Sequence, residues 1–160
     1  MSYREDSFRR ITIAEIEKQL KKDILKYEYT NKCFKRTNNT LSHVTFFMFS
    51  ACIAINTAGI VTIFGFPLEI LGTSIGGVGL LFKFIAHFYS KKADKHNQKL
   101  HLSRSTYYTI QDLISKCLDD EFISDDEFKI INEVIKKYSE KKANISTTNL
   151  KFSKDIFKNK

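Results

Sequence analysis

Histidines, cysteines and a dense run of carboxylates are the side chains here that could carry chemistry, and spacing decides what each group can do. Across the acidic run Asp119–Glu127, Ile123 and Glu127 fall where a calcium-binding EF-hand loop keeps its hydrophobic residue and its final bidentate Glu. Counting back puts Lys116 at the first ligand position, Leu118 at the third and Glu121 where the glycine must be, so no calcium loop is expected. His96 and His101 stand five apart, off a common helical face, and no cysteine pair accompanies them, so no zinc site is expected either. His43 and His87 lie near the outer ends of two apolar segments and read as wet interfacial imidazoles. Cys33, Cys52 and Cys117 are an odd, scattered set, the pattern of reduced thiols and not of a disulfide framework. Gly76-Gly77-Val78-Gly79 follows apolar helix, not a strand, and no Lys-Ser/Thr pair follows it, which removes a phosphate loop. With no GxSxG or HExxH pattern, the expectation is a non-enzymatic chain with no catalytic, cofactor or metal site.

The element that stands out is apolar. From Leu41 to Leu68 and again from Ile70 to Phe82 no residue is charged, and only Glu69 and Lys83 interrupt the stretch between Arg36 and Lys91. A soluble domain spreads its apolar residues over every element; here they are segregated. Leu41–Phe64 would rise about 36 Å as a helix, enough for a hydrocarbon core of about 30 Å. Gly65-Phe66-Pro67 turns the chain, with Pro67 suited to the first turn of the next helix. Leu68–Ser90 is Gly-rich and carries Lys83, whose stem can snorkel, so this segment reads as tilted or re-entrant. Small residues predict the packing face: Ser50, Ala54 and Ala58 at four-residue spacing on one segment, Gly72 and Gly76 on the other. Asn56 and Thr57, in mid-segment, want partners, which an oligomeric seam or the hairpin itself would supply.

The flanks are helical. Thr12 and Glu15 form a capping box with Ile11 and Ile16 as its staple, and the stripe Ile13, Ile16, Leu20, Ile24, Tyr27 predicts an amphipathic helix to about Tyr29, broken by Asn38-Asn39-Thr40. After the hairpin, Ala93, His96, Leu100, Ser103, Tyr107, Ile110, Ile114 and Cys117 form a seam that turns from polar to apolar. A second capping box, Ser124 with Glu127 stapled by Ile123 and Phe128, starts a last helix striped by Ile131, Val134, Ile135 and Tyr138. The expected organisation is all-α, with coiled-coil-like packing in the flanks. It runs as an N-terminal amphipathic helix over 1–40, a transmembrane or re-entrant hydrophobic hairpin over 41–90, a C-terminal helical hairpin over 91–140, and a basic flexible tail over 141–160.

Residues 1–40 carry ten basic and six acidic side chains and residues 91–160 fifteen and eleven, so each flank is +4. Basic flanks with only Glu69 near the turn place both termini in the cytoplasm by the positive-inside rule, and they favour an anionic lipid surface. The polar Met1–Arg10 predicts no cleavable leader. No recognition helix or aromatic-basic interleaving stands out, so no specific nucleic acid is expected.

The stretch Thr109–Leu118 followed by Ile123-Ser124-Asp125-Asp126-Glu127-Phe128 resembles the ending of a family of uncharacterised proteins from invertebrate genomes and Polinton-like mobile elements. Over about residues 45–138 that resemblance implies a Gly-rich membrane hairpin, a basic helix and a helical ending, with no activity attached; Cys117 stands where the family has Ala, and Phe122 where it has Gly. In architecture alone the chain is similar to the SLATT-type two-segment effectors, which implies membrane permeabilisation. Three functions stay open: a membrane anchor or scaffold whose cytoplasmic helices bind a protein partner, an oligomeric membrane-perturbing or pore-forming protein, and a soluble helical bundle that sequesters its hydrophobic hairpin.

Overall fold

A computed structural model describes residues 3–57, 62–63, 66–118 and 122–158, with side chains described over 5–55, 72–117 and 122–146. The chain is all-α: α1 spans Tyr3–Thr57, α2 Leu68–Leu118 and α3 Asp125–Lys158. Between α1 and α2, β1 (Thr62–Ile63) and β2 (Phe66–Pro67) make a minimal antiparallel pairing, Thr62 opposite Pro67 and Ile63 opposite Phe66, and α2 starts one residue after Pro67. The chain divides into two compact units, one of residues 1–29 with 95–160 and one of residues 30–94. The N-terminal and C-terminal flanks, read from sequence as separate regions, thus form one unit.

In that first unit a series of buried residues recurs every seven positions. That series is Ile13, Leu20 and Tyr27 on α1; Ser103, Ile110 and Cys117 on α2; Ile131 and Tyr138 on α3, and Asp23, Leu100, Thr106 and Ile123 are buried beside it. A seven-residue repeat keeps one seam of each helix facing its partners, which is coiled-coil packing. Ile13, Cys117, Ile123 and Ile131 make one layer of the core, with Phe128 and Ile114 against it. Leu20, Ile110 and Tyr138 make the next. Full burial of a side chain such as Ile110 or Ile131, both 0 % exposed, contributes about 1.5–3 kcal/mol.

Helix boundaries differ from the sequence reading at three places, and each has a local cause. Thr12 is not an N-cap: α1 has been running since Tyr3, with Glu5 and Asp6 in its first turn, and the Thr12 hydroxyl donates back to the Phe8 carbonyl at 3.0 Å. Glu15 is accordingly an exposed mid-helix residue. Asn38-Asn39-Thr40 does not break α1, because none of the three is Gly or Pro and Thr37 and Thr40 bond the Cys33 and Arg36 carbonyls at 3.1 Å. The expected flexible tail from 141 is helical as far as Lys158, with no Gly or Pro to stop it.

The second unit is the hairpin. The helix expected over Leu41–Phe64 ends at Thr57, and its described apolar part, from Leu41, rises about 26 Å. Its partner α2 carries Lys83 within its apolar run. Among the described residues no helix is long and apolar enough to cross a membrane.

Candidate functional site

Two places concentrate what this chain can do. The hairpin comes first, because its packing fixes which side chains are left outside. Gly72, Gly79, Ala86 and Ala93 are all buried on α2, again seven apart. Opposite them α1 buries Thr45 and half-buries Met48, Phe49 and Cys52. The Cys52 thiol donates to the Gly72 carbonyl at 3.1 Å, and a Cβ on Gly76 would lie 3.5 Å from Cys52 Sγ. A Cβ on Gly79 would meet Met48 and Phe49 at 3.6–3.7 Å, while one on Gly77 would meet nothing within 4 Å. Small residues let the two backbones approach, the device that holds helices together in lipid. Of the residues expected at this face, Gly72 and Gly76 lie on it. Ser50 and Ala54 are exposed on α1, where Cys52, Met48 and Phe49 take the contact instead; Ala58 lies outside the described residues. The seven-residue spacing of Gly72, Gly79, Ala86 and Ala93 was in the sequence, but a four-residue motif masks it.

Turning the small residues inward leaves the large apolar ones outward. Val44, Phe46, Phe47 and Ile53 on α1 are exposed, as are Val78, Leu80, Leu81, Phe84, Ile85 and Phe88 on α2, with Phe47 71 % and Phe84 74 % exposed. Toward residues 30 and 94 this surface ends in an aromatic and basic collar. The Phe34 and Tyr89 rings meet at a tilt with centres 5.7 Å apart, and the Lys92 ammonium lies 4.5 Å from the Phe88 ring centre and 5.8 Å from that of Phe34. His43, Lys83 and His87 are exposed; Lys83 also borders a shallow pocket with Thr45, Phe49 and Ala86.

The second place is the polar layer of the first unit. Tyr138 donates its phenol to Asp23 Oδ2 at 2.7 Å, and that oxygen also accepts from Lys142. Ser103, 0 % exposed, has its hydroxyl 2.9 Å from both the Tyr138 hydroxyl and the Lys99 carbonyl, and its single proton goes to one or the other. One buried network thereby joins α1, α2 and α3. Burial pushes the Tyr138 phenol up, and the Asp23 carboxylate adds to this while Ser103 opposes it. Burial works against the charge on Lys142, but its hydrogen bond to Asp23 and the fields of Tyr138 and Asp23 together outweigh that and hold the ammonium well above the usual lysine range. Serine, tyrosine and lysine could suggest catalysis, yet Ser103 and Tyr138 are sealed by the helices around them, and the network reads as a device that fixes helix register. No motif within either flank announces it, since Asp23 and Tyr138 are 115 residues apart.

At the far end of the same unit, the α2–α3 turn is tied to α1. Asp6 accepts the Ile123 N–H at 3.0 Å, Arg9 donates to the Ile123 carbonyl at 2.7 Å, and Arg9 also pairs with Asp125. Ser124 and Glu127 stand as N-cap and N3 of α3. The Ser124 N–H donates to Glu127 Oε2 at 2.8 Å, its hydroxyl to the same oxygen at 2.7 Å, and the Glu127 N–H reaches Ser124 Oγ at 3.3 Å. The Ser124 hydroxyl and N–H hold the Glu127 carboxyl below its usual value, and the Ile123 N–H and Arg10 do the same for Asp6. Beside this turn a cavity of about 180 Å³ is lined mainly by Ile13, Ile114, Cys117, Ile123 and Ile131, with Arg10 and Glu17 at its edge. Among the described residues no group of three or more His, Cys, Asp or Glu is placed to hold a metal.

No protein-family model, no curated protein and no solved structure matches this chain.

Proposed function

We propose that the chain is a small non-enzymatic membrane protein that acts as an anchor or scaffold. Its hairpin enters the lipid, and its three-helix unit stands on the cytoplasmic side and offers its surface to a protein partner. The observation that carries this reading is the outward apolar face of the hairpin. Monomeric soluble proteins seldom expose contiguous apolar patches beyond a few hundred Å², yet here Phe46, Phe47, Leu80, Leu81, Phe84 and Phe88 all point outward from two adjacent helices. The first unit instead packs most of its Ile and Leu residues into two core layers, and its exposed apolar side chains, such as Phe8, Leu25 and Ile130, are scattered over three helices. The Phe34–Tyr89–Lys92 collar supports the same reading, because aromatic and basic side chains favour the headgroup level. The hairpin enters the lipid as two joined segments and returns to the side it came from. Both termini then stay on the cytoplasmic side, and the basic flanks favour anionic lipid.

Alkaline carbonate extraction of membranes from cells producing the full chain tests this. The chain should remain in the pellet. Complete release into the supernatant would overturn the membrane reading, and leakage of dye from anionic vesicles on adding the chain would replace the anchor with a membrane-perturbing protein.

A further inference from the structure

The cavity beside the α2–α3 turn lies in the best-packed part of the three-helix unit. Ile13, Cys117, Ile123 and Ile131, all buried, line it with the half-buried Ile114 and the exposed Ala14. The first four also make up one core layer, which joins α1, α2, α3 and the turn. Protein cores close such spaces, because side chains facing a gap forfeit dispersion contacts and the fold loses stability. Here the space is about 180 Å³. Ala14 and Cys117 are the short side chains of the lining, and the exposed position of Ala14 leaves a way in. The polar groups around it already hold partners. Arg10 Nε donates to Asp6 at 2.8 Å, and Glu17 accepts from Gln111. The Cys117 thiol hydrogen-bonds the Glu127 carboxylate, which Ser124 also holds. What the cavity presents to a visiting molecule is mainly isoleucine side chain.

We infer that this cavity is a binding site for a small, neutral, apolar molecule of about the size of one aromatic ring. An apolar cavity of about 150 Å³ lined by Leu, Ile and Phe takes up benzene or xenon. A space of about 180 Å³ among Ile13, Ile114, Ile123 and Ile131 therefore has room for a six-membered ring. Binding is driven by the apolar area that both surfaces remove from water. A charged ligand would lose its hydration there without gaining a partner, so the site selects against it. A ring held among these residues touches α1, α2, α3 and the turn, so it favours the folded unit by mass action. The site lies wholly within the three-helix unit and stands apart from the membrane reading.

Methyl NMR of the full chain in detergent, with labelled isoleucine δ1 methyls and benzene as the probe, reads the site directly. The methyls of Ile13, Ile114, Ile123 and Ile131 should shift in the ring current and saturate, while those of the exposed Ile11 and Ile130 should not. Ala14→Leu puts a longer side chain at the way in and should weaken benzene binding at least about tenfold, the factor for one methylene too many in an apolar pocket. Ala14→Ser should keep the binding, and both variants should keep the parent's helical content. Benzoate should leave the four methyls unmoved. Absence of a saturable shift at those methyls would overturn the site, and equal shifts at Ile11 and Ile130 would reduce the effect to benzene dissolved in detergent. Undiminished binding in a folded Ala14→Leu chain would place the ligand outside this cavity and overturn the assignment. Benzoate binding as tight as that of benzene would overturn the neutral class.

Discussion

Replacing Ser124 by Ala removes a single oxygen from the start of α3, and the structure sets how much that oxygen is worth. Two of its contacts disappear, the 2.7 Å donation to Glu127 and the longer 3.3 Å acceptance from the Glu127 N–H. Two backbone contacts survive: the Ser124 N–H still reaches Glu127, and the Phe128 N–H still reaches the Ser124 carbonyl at 3.1 Å. The loss should therefore lie near 1 kcal/mol, toward the lower part of the range for N-caps, and Ser124→Gly should cost only a few tenths. For a unit of this size 1 kcal/mol lowers the midpoint by about 4–8 °C, measurable in circular-dichroism melts of the full chain in detergent. Acid supplies an independent readout. Glu127 and Asp6 have folded values held below their ordinary 4.5 and 3.8, so they stabilise the fold above those values and lose that contribution as the pH falls through the folded ones. The parent's midpoint should thus drop on acidification below about pH 4.5, and Ser124→Ala should make the drop shallower because its hydroxyl is the main cause of the Glu127 shift. An unchanged midpoint, or an identical acid profile in parent and variant, would refute the capping argument.

The hairpin glycines should separate by position. Gly76→Leu should lower hairpin stability in detergent, because atoms beyond its Cβ run into Cys52, whereas Gly77→Ala, with open space around it, should raise stability by up to about 1 kcal/mol; equal effects on thermal unfolding would mean that the close approach is incidental. Tyr138→Phe should cost about 1 kcal/mol in urea unfolding, since Asp23 keeps Lys142 and Ser103 keeps the Lys99 carbonyl. Asp23→Leu should cost more, because it strips the half-buried Lys142 of its carboxylate; the reverse order would mean that the network does not fix the helices.

What could be read from the residues alone was whatever is local. The Ser124–Glu127 pair announces a helix start because its partners are three apart and a staple follows. The same signature at Thr12–Glu15 misleads, since a helix already under way can hold Thr12 by a bond to Phe8 and leave its box unused. The Asn38–Thr40 run misleads for a related reason: it lowers propensity without blocking the backbone. The heptads on each flank were legible, but that Ile13, Cys117 and Ile131 share one layer was not, because it joins positions more than a hundred residues apart. The Asp23–Tyr138 link was illegible for the same reason. On the hairpin, Gly72 and Gly76 were visible as a pair, but the register that excludes Ser50 and Ala54 depends on where Cys52 and Phe49 fall on the facing helix.

The parent chain contains no Trp, so single tryptophans report cleanly on the claim that the hairpin's outer face meets lipid. Phe47→Trp and Phe84→Trp would replace two of its most exposed side chains, and Tyr108→Trp an equally exposed aromatic of the three-helix unit. In vesicles containing lipids brominated along the acyl chain, the account predicts blue-shifted, strongly quenched emission at positions 47 and 84 and red, unquenched emission at 108. Red, unquenched emission at all three positions would contradict it.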